Sequence, residues 1–158
     1  MDAIGATLLD DPTVLVFPGG SALPGERWLL SHGDALCLDD ADYQRFRQQV
    51  RSPAWQAAFL ARPLDERQAV ARSLRAQSEA RKQAGADHAD VDGDAARGWL
   101  DLAGAASLIH GHTHQPASHD LGDGLQRVVL SDWDMAATPP RGQVLRLSAA
   151  GLQRIALA

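Results

Sequence analysis

Residues 107–114 have the sequence SLIHGHTH, which joins a short apolar run to three histidines. Ser107–His110 is typical of a buried strand, and His112 and His114 follow two positions apart. If the segment continues the strand, both imidazoles point to one side of it. Two imidazoles on one side of a chain at the end of a strand suit a divalent metal ion.

A further histidine, His32, directly follows a second predicted strand at 27–31 and begins the run His32-Gly33-Asp34. A single histidine at a strand end is more often a satisfied core residue than a ligand. Metallohydrolases, however, gather their ligands on loops at strand ends, so the two segments together favour metal binding. His88 and His119 are predicted to lie in polar loops and receive no role.

Hydrophobic periodicity predicts a mixed α/β fold in which a helical segment interrupts the strands. Asp39 or Asp40 is expected to cap the first helix, Gly104 to end the last one, and residues 85–90 to form a loop. The final two strands are predicted to form a hairpin. The predicted strands are 13–17, 27–31, 107–110, 126–131, 143–147 and 152–157, and the predicted helices are 41–51, 53–60, 63–84 and 92–103.

Composition excludes several classes of protein. The chain has 158 residues, of which 45% are hydrophobic, so it can bury a core. A single cysteine, Cys37, excludes an internal disulfide and fits a reducing compartment. No stretch has the length and apolarity of a membrane span, and the acidic first residues lack the pattern of a secretory signal.

Charge is unevenly distributed along the chain. The net charge of −5 argues against a nucleic-acid partner, but residues 43–84 carry nine basic and three acidic side chains, a net charge of +6. Such a segment suits either an anionic ligand or surface, or simply a solvated helix face. The basic residues are Arg45, Arg47, Arg51, Arg62, Arg67, Arg72, Arg75, Arg81 and Lys82.

Spacing within this segment predicts one polar helix face. Arg75, Ser78 and Lys82 fall at i, i+3 and i+7, which places donors and positive charge together. The apolar residues could line a channel for acyl chains or form the helices' own packing core, and we expect some of each. They are Phe46, Val50, Trp55, Phe59, Leu60, Leu64, Val70 and Leu74.

The His-Gly-Asp and Gly-His-Thr-His segments resemble those of calcineurin-like metallophosphoesterases. Further segments indicate one family within this superfamily. They are HGDALCLDD at 32–40, Tyr43, Arg75-Ala76-x-Ser78, HGHTHQP at 110–116 and RVVL at 127–130. In these the chain resembles the UDP-2,3-diacylglucosamine diphosphatases (hydrolases) of lipid A biosynthesis, from about residue 6 onward.

That resemblance implies a function and a set of site residues. The family holds two Mn²⁺ ions and hydrolyses the pyrophosphate of UDP-2,3-diacylglucosamine to UMP and 2,3-diacylglucosamine 1-phosphate (lipid X), by two-metal activation of water. His32 and His112 match ligands of one metal, and His114 matches a ligand of the other; His112 is the expected catalytic residue. The implied substrate-binding residues are Asp40, Tyr43, Arg75, Ser78 and His112, with Lys82 in place of a lysine that the family has nearby.

The resemblance also implies a fold and a division of the chain. We expect a partial metallophosphoesterase sandwich, formed by 1–39 and 86–158, with a helical lid insertion at 40–85. The family's Asp-x-His, Gly-Asp and Gly-Asn-containing motifs do not precede His32, so the chain corresponds to the C-terminal part of the enzyme and is expected to have little activity alone. Three imidazoles without those carboxylates favour one softer ion.

Partners and location follow from the same resemblance. We expect UDP-2,3-diacylglucosamine or lipid X as ligand, no nucleic acid, and peripheral attachment to the cytoplasmic face of the bacterial inner membrane. An uncovered sheet predicts self-association. The alternatives are a non-catalytic fragment that binds lipid or nucleotide sugar, another dinuclear metallophosphoesterase, or a β-lactamase-fold hydrolase. The last is disfavoured, because that fold has the motif His-x-His-x-Asp-His and Gln115-Pro116 follow His114 here.

Overall fold

A computed structural model of the chain describes residues 5–17, 26–83, 89–148 and 150–157. Contacts between residues divide the chain into two units, Met1–Leu36 with Val91–Ala158, and Cys37–Asp90. The domain bounds that the sequence suggests stay a prediction. Most of the predicted loop at 85–90, with His88, lies outside the described residues.

The first unit is built on a mixed five-stranded sheet. Its strands are β1 (Thr13–Phe17), β2 (Glu26–Ser31), β3 (Ser107–His110), β4 (Ser118–Gly122) and β5 (Leu125–Val129), in the order β1-β2-β3-β5-β4. The central strands β2, β3 and β5 are parallel, and β1 and β4 are antiparallel to their neighbours. The register pairs Ser31 with His110, so β2 and β3 end together.

The core lies around the central strands. Leu29 pairs with Leu108 across β2 and β3, and both side chains are buried. Helix α4 (Gly93–Ala103) contacts β2, β3 and β5 and buries Ala96 and Leu100. Its first turn is capped by Asp92, whose carboxylate accepts from the Ala95 N–H, and Gly104 ends it in the left-handed conformation. The sequence prediction of this helix is confirmed at both ends.

Strand β4 was not expected from the sequence. Three of its five residues SHDLG are polar, and its side chains alternate between exposed and half-buried positions. The prediction that His119 lies in a loop is therefore wrong, because His119 pairs with Arg127 in the β4–β5 ladder. Positive φ angles at Gly122, Asp123 and Gly124 form the turn, and β5 begins and ends earlier than predicted.

A separate two-stranded sheet completes the first unit. Strands β6 (Gln143–Ser148) and β7 (Gly151–Ala156) form the predicted hairpin. Arg154 of β7 donates hydrogen bonds to the carbonyl oxygens of Ala117 and Val129, which joins the hairpin to the end of β5.

The second unit contains three helices, α1 (Ala41–Arg51), α2 (Pro53–Leu60) and α3 (Leu64–Gln83). Asp40 and Ser52 cap the first two by accepting from the N–H groups of Tyr43 and Trp55. The rings of Trp55 and Phe59 stack at 4.8 Å, but no described side chain of these three helices is buried. Within the described residues, no helix combines the length and apolarity needed to cross a membrane.

Candidate functional site

The ends of β2 and β3 form the centre of the candidate site. Because Ser31 and His110 are in register, the residues that follow them, His32 and Gly111, lie side by side. The Gly111 N–H donates to the His32 carbonyl oxygen at 3.1 Å. Two segments far apart in the sequence are thus joined where each strand ends, as expected for parallel neighbours.

The backbone of His32 is held from the other side by a carboxylate. Asp11 Oδ1 accepts from Ser31 Oγ at 2.7 Å and from the His32 N–H at 3.2 Å. Ser31 Oγ in turn accepts from the Gly33 N–H at 3.0 Å. Neither Asp11 nor Ser31 was selected from the sequence, since nothing in their local pattern links them to a site.

Gly33 is required where it lies. Its φ of 101° is a conformation that side chains rarely adopt, and a Cβ built there would lie 2.9 Å from His110 Nδ1. His110 itself is fully buried, with Nδ1 2.9 Å from the Gly111 carbonyl oxygen and Nε2 3.4 Å from the Arg127 guanidinium. Arg127 can only donate, so Nε2 accepts and Nδ1–H donates. His110 is therefore a core histidine beneath the loop.

The structure brings His32 and His112 together. Their ring centres are 5.1 Å apart, with the ring planes at 58°. An imidazole nitrogen binds a divalent ion at about 2.1 Å, which puts the centres of two rings that share an ion about 4.6–5.3 Å apart. The 5.1 Å separation is compatible with two ligands of one ion, and this role of the pair stays a prediction.

The His32 ring also has a carboxylate partner. Asp34 Oδ1 lies 3.2 Å from His32 Nδ1, and Asp34 is 2% exposed whereas the His32 side chain is 51% exposed. Imidazole ligands of metals commonly donate their second N–H to a carboxylate in this way. Asp34 received no role from the sequence, although its position two residues after His32 was a usable signal.

The backbone of the Gly-His-Thr-His loop corrects one expectation. His112 and His114 have φ angles of 64° and 54°, and the Thr113 N–H donates to the Gly111 carbonyl oxygen at 2.7 Å. The chain turns tightly after His110 and does not continue β3. The argument that both imidazoles share a side because they extend a strand is therefore wrong. Positive φ is uncommon for residues other than glycine, and the sequence gives no sign of it here.

His114 is exposed and lies near acidic Asp132. Arg141 donates to the Asp132 carboxylate at 2.9 Å and is the main cause of that group's lowered pKa, to which the charge of His114 adds. Among the described residues, no group of three or more histidine, cysteine, aspartate or glutamate side chains is placed to hold a metal ion. The structure brings the His32 and His112 rings together, and the metal role of the three predicted ligands stays a prediction.

The predicted substrate-binding residues lie in the helical unit. Asp40 caps α1, Tyr43 lies in its first turn, and Arg75 and Ser78 are exposed one turn apart on α3. Lys82 lies in the last turn of α3. Their role in binding stays a prediction.

A mixed α/β unit with histidines at neighbouring parallel strand ends is consistent with a partial metallophosphoesterase fold. No protein-family model matches the chain. The chain is 49% identical over 155 residues to a UDP-2,3-diacylglucosamine hydrolase of Chromobacterium violaceum, a match that covers 97% of the chain and 61% of the relative. It is 45% identical over 157 residues to that of Bordetella pertussis, covering 96% and 58%.

A third relative gives the same result. The UDP-2,3-diacylglucosamine hydrolase of Cellvibrio japonicus is 46% identical over 152 residues, covering 94% of the chain and 59% of the relative. The resemblance that the motifs predict is confirmed, and the chain spans about three-fifths of the length of these curated relatives, consistent with a C-terminal portion.

Proposed function

We propose that this chain supplies the C-terminal part of the active site of a UDP-2,3-diacylglucosamine hydrolase. The reaction is hydrolysis of the pyrophosphate bond to give UMP and 2,3-diacylglucosamine 1-phosphate. The observation that carries the proposal is the 49% identity to such a hydrolase over almost the whole chain. The His32–His112 pair adds chemical support, because its spacing suits a shared divalent ion.

The residues divide into two roles in this proposal. His32 and His112 bind one Mn²⁺ and His114 binds a second, while the remaining ligands come from outside these 158 residues. Asp40, Tyr43, Arg75, Ser78 and Lys82 bind the substrate, with Arg75 suited to a phosphate oxygen because guanidinium donates in a bidentate fork. The metals, when bound, supply an activated water and neutralise charge on the phosphoryl oxygens.

The role of His112 is both to bind metal and to contact the reacting phosphoryl group. Its backbone is fixed by the tight turn in which Thr113 donates to Gly111, and its ring lies against His32. An imidazole held by both backbone and ring contacts loses little freedom on binding, which favours catalysis.

Attachment to the membrane belongs to the same proposal. The substrate carries two acyl chains, and the basic segment 43–84 suits the anionic surface of the inner membrane on its cytoplasmic side. The exposed apolar side chains Phe46, Leu60 and Leu64 on α1–α3 are available to acyl chains.

The activity is tested in a chimera. This chain replaces the matched 155 residues of the Chromobacterium violaceum relative, and UMP release from UDP-2,3-diacylglucosamine is measured with added Mn²⁺. We expect hydrolysis that His112→Ala reduces at least a hundredfold, and that His119→Ala, on β4, leaves within twofold. A folded chimera without activity would contradict the proposal.

The isolated chain gives a separate prediction. The family's Asp-x-His, Gly-Asp and Gly-Asn-containing motifs do not precede His32, so the carboxylates that would hold two ions close together are missing from these positions. The purified 158-residue chain should therefore show negligible Mn²⁺-dependent UMP release. The assay uses the chimera as positive control. Robust turnover by the isolated chain that is lost in His112→Ala would overturn this prediction.

A further inference from the structure

Two carboxylates outside the predicted set of ligands converge on His32. Asp34 approaches its ring and Asp11 its backbone, from separate segments of the first unit. Asp34 is 2% exposed, so its carboxylate is shielded from solvent. A buried carboxylate is retained only where it accepts hydrogen bonds, and a His32 ring nitrogen lies within reach of it.

The contact decides which ring nitrogen of a neutral His32 carries the proton. An ionised carboxylate only accepts, so the nitrogen beside it, Nδ1, must donate. Nε2 is then the nitrogen with the free lone pair, the form that binds a metal. The 3.2 Å separation of Nδ1 and Oδ1 is at the outer edge of a normal hydrogen bond.

The main chain of His32 is fixed on both sides at the same time. Its N–H donates to Asp11 Oδ1, and its carbonyl oxygen accepts from the Gly111 N–H. Ser31 Oγ donates to the same oxygen of Asp11 and accepts from the Gly33 N–H, so one carboxylate orders the peptide groups around the histidine.

We propose that Asp34 is a positioning residue that fixes His32 as the Nδ1–H tautomer, with Nε2 as its metal-binding nitrogen. Asp11, through Ser31 and the backbone, fixes the position of the main chain from which the His32 ring projects. The inference rests on the proposed metal role of His32 but makes a claim that holds without metal. Losing such a carboxylate partner typically weakens metal binding about 10–100-fold.

The decisive measurement is the tautomer of His32 in the metal-free chain. Long-range ¹H–¹⁵N correlation spectra of the ¹⁵N-labelled 158-residue chain, recorded at about pH 8.5 where imidazole is neutral, distinguish the two nitrogens. The signals that vanish in His32→Gln belong to His32. We expect Nδ1–H in the unsubstituted chain, retention of it in Asp34→Asn, which keeps an acceptor, and a shift toward Nε2–H in Asp34→Leu.

Asp94→Leu is the matched control, because Asp94 is an exposed carboxylate in the first turn of α4. It should leave the His32 signals unchanged. Circular dichroism checks that each variant folds, and if Asp34→Leu does not, the spectrum of the unsubstituted chain decides alone. Nε2–H in that spectrum, or an unchanged tautomer in a folded Asp34→Leu variant, overturns the proposal.

Metal binding separates this inference from the proposed function. Calorimetric titration of the same proteins with Zn²⁺ should give a dissociation constant about 10–100-fold higher for Asp34→Leu and within threefold for Asp34→Asn. Asp11→Asn should also weaken binding, by less, since it acts through the backbone. If the unsubstituted chain binds no Zn²⁺, the metal role of His32 in this chain fails, while the tautomer still decides the role of Asp34.

Discussion

Gly33 shows how a single residue lets two loops approach each other. It lies between His32 and Asp34, and its missing side chain leaves room for His110 from the neighbouring strand. Both its positive φ and this close approach require glycine, so the constraint is steric as well as conformational.

Replacing Gly33 should therefore be costly. Gly33→Ala places a Cβ 2.9 Å from His110 Nδ1 at a φ of 101°, and we expect a loss of about 1–3 kcal/mol in the free energy of unfolding. Urea denaturation measures it. Gly98→Ala, in the middle of α4 with open space around the new methyl group, should instead stabilise by about 0.5–1 kcal/mol. Equal effects of the two changes would contradict the steric argument.

At the same scale, Arg75 tests the substrate assignment. In the chimera, Arg75→Ala should lower kcat/KM about 10–100-fold, because a charge-assisted hydrogen bond contributes about 1.5–3 kcal/mol. The control is Gln77→Ala, two residues along α3 and so on the opposite side of the helix. Equal losses in both variants would argue for a structural effect on α3.

Among the elements, those with strong local signals were predicted well. Helix α4 has an apolar face, an N-cap aspartate and a C-terminal glycine, and its predicted ends agree with the structure. Strand β4 has none of these signals, because it is an edge strand whose pairing with β5 depends on the turn at 122–124. The positive φ angles of His112 and His114 were missed because neither residue type nor spacing signals them in the sequence.

The site shows the same division. The spacing of the histidines and the resemblance predicted His32 and His112, and the structure places these rings together. Asp11 could not be predicted, since it reaches Ser31 and His32 only through the pairing of β1 with β2. Residues that act through the backbone of a neighbour leave no pattern of their own in the sequence.

Capping of α4 gives a prediction about this element. Asp92→Ala removes the acceptor of the Ala95 N–H and should lower the free energy of unfolding by about 1 kcal/mol. Asp101→Ala is the control, because Asp101 is an exposed acid near the helix C-terminus, where negative charge is unfavourable. Thermal unfolding followed by circular dichroism compares them. A larger loss in Asp101→Ala would contradict the capping role.

For the whole molecule, β1, one of the two outer strands of the described sheet, is the feature to test. In the described part of the chain β1 pairs only with β2, and Leu15 and Val16 on it are exposed. A strand edge with apolar side chains is a template for pairing with another chain.

We therefore expect the isolated chain to self-associate through β1. Val16→Lys, at a side chain that is 52% exposed, should reduce association at least fivefold in sedimentation velocity at matched concentrations. Leu102→Lys, on α4 and 90% exposed, controls for the general effect of removing an apolar side chain. If both variants reduce association equally, or the unsubstituted chain is monomeric, β1 is not the contact.

The register of β2 with β3 also has a kinetic consequence. His32 and His112 are separated by the entire helical segment, yet their rings meet because Ser31 aligns with His110. Contacts between such distant positions form late, since the chain must close a long loop first. An ion that needs both imidazoles can therefore bind only after β2 and β3 have paired. The rate of Zn²⁺ uptake during refolding would report the rate of that pairing.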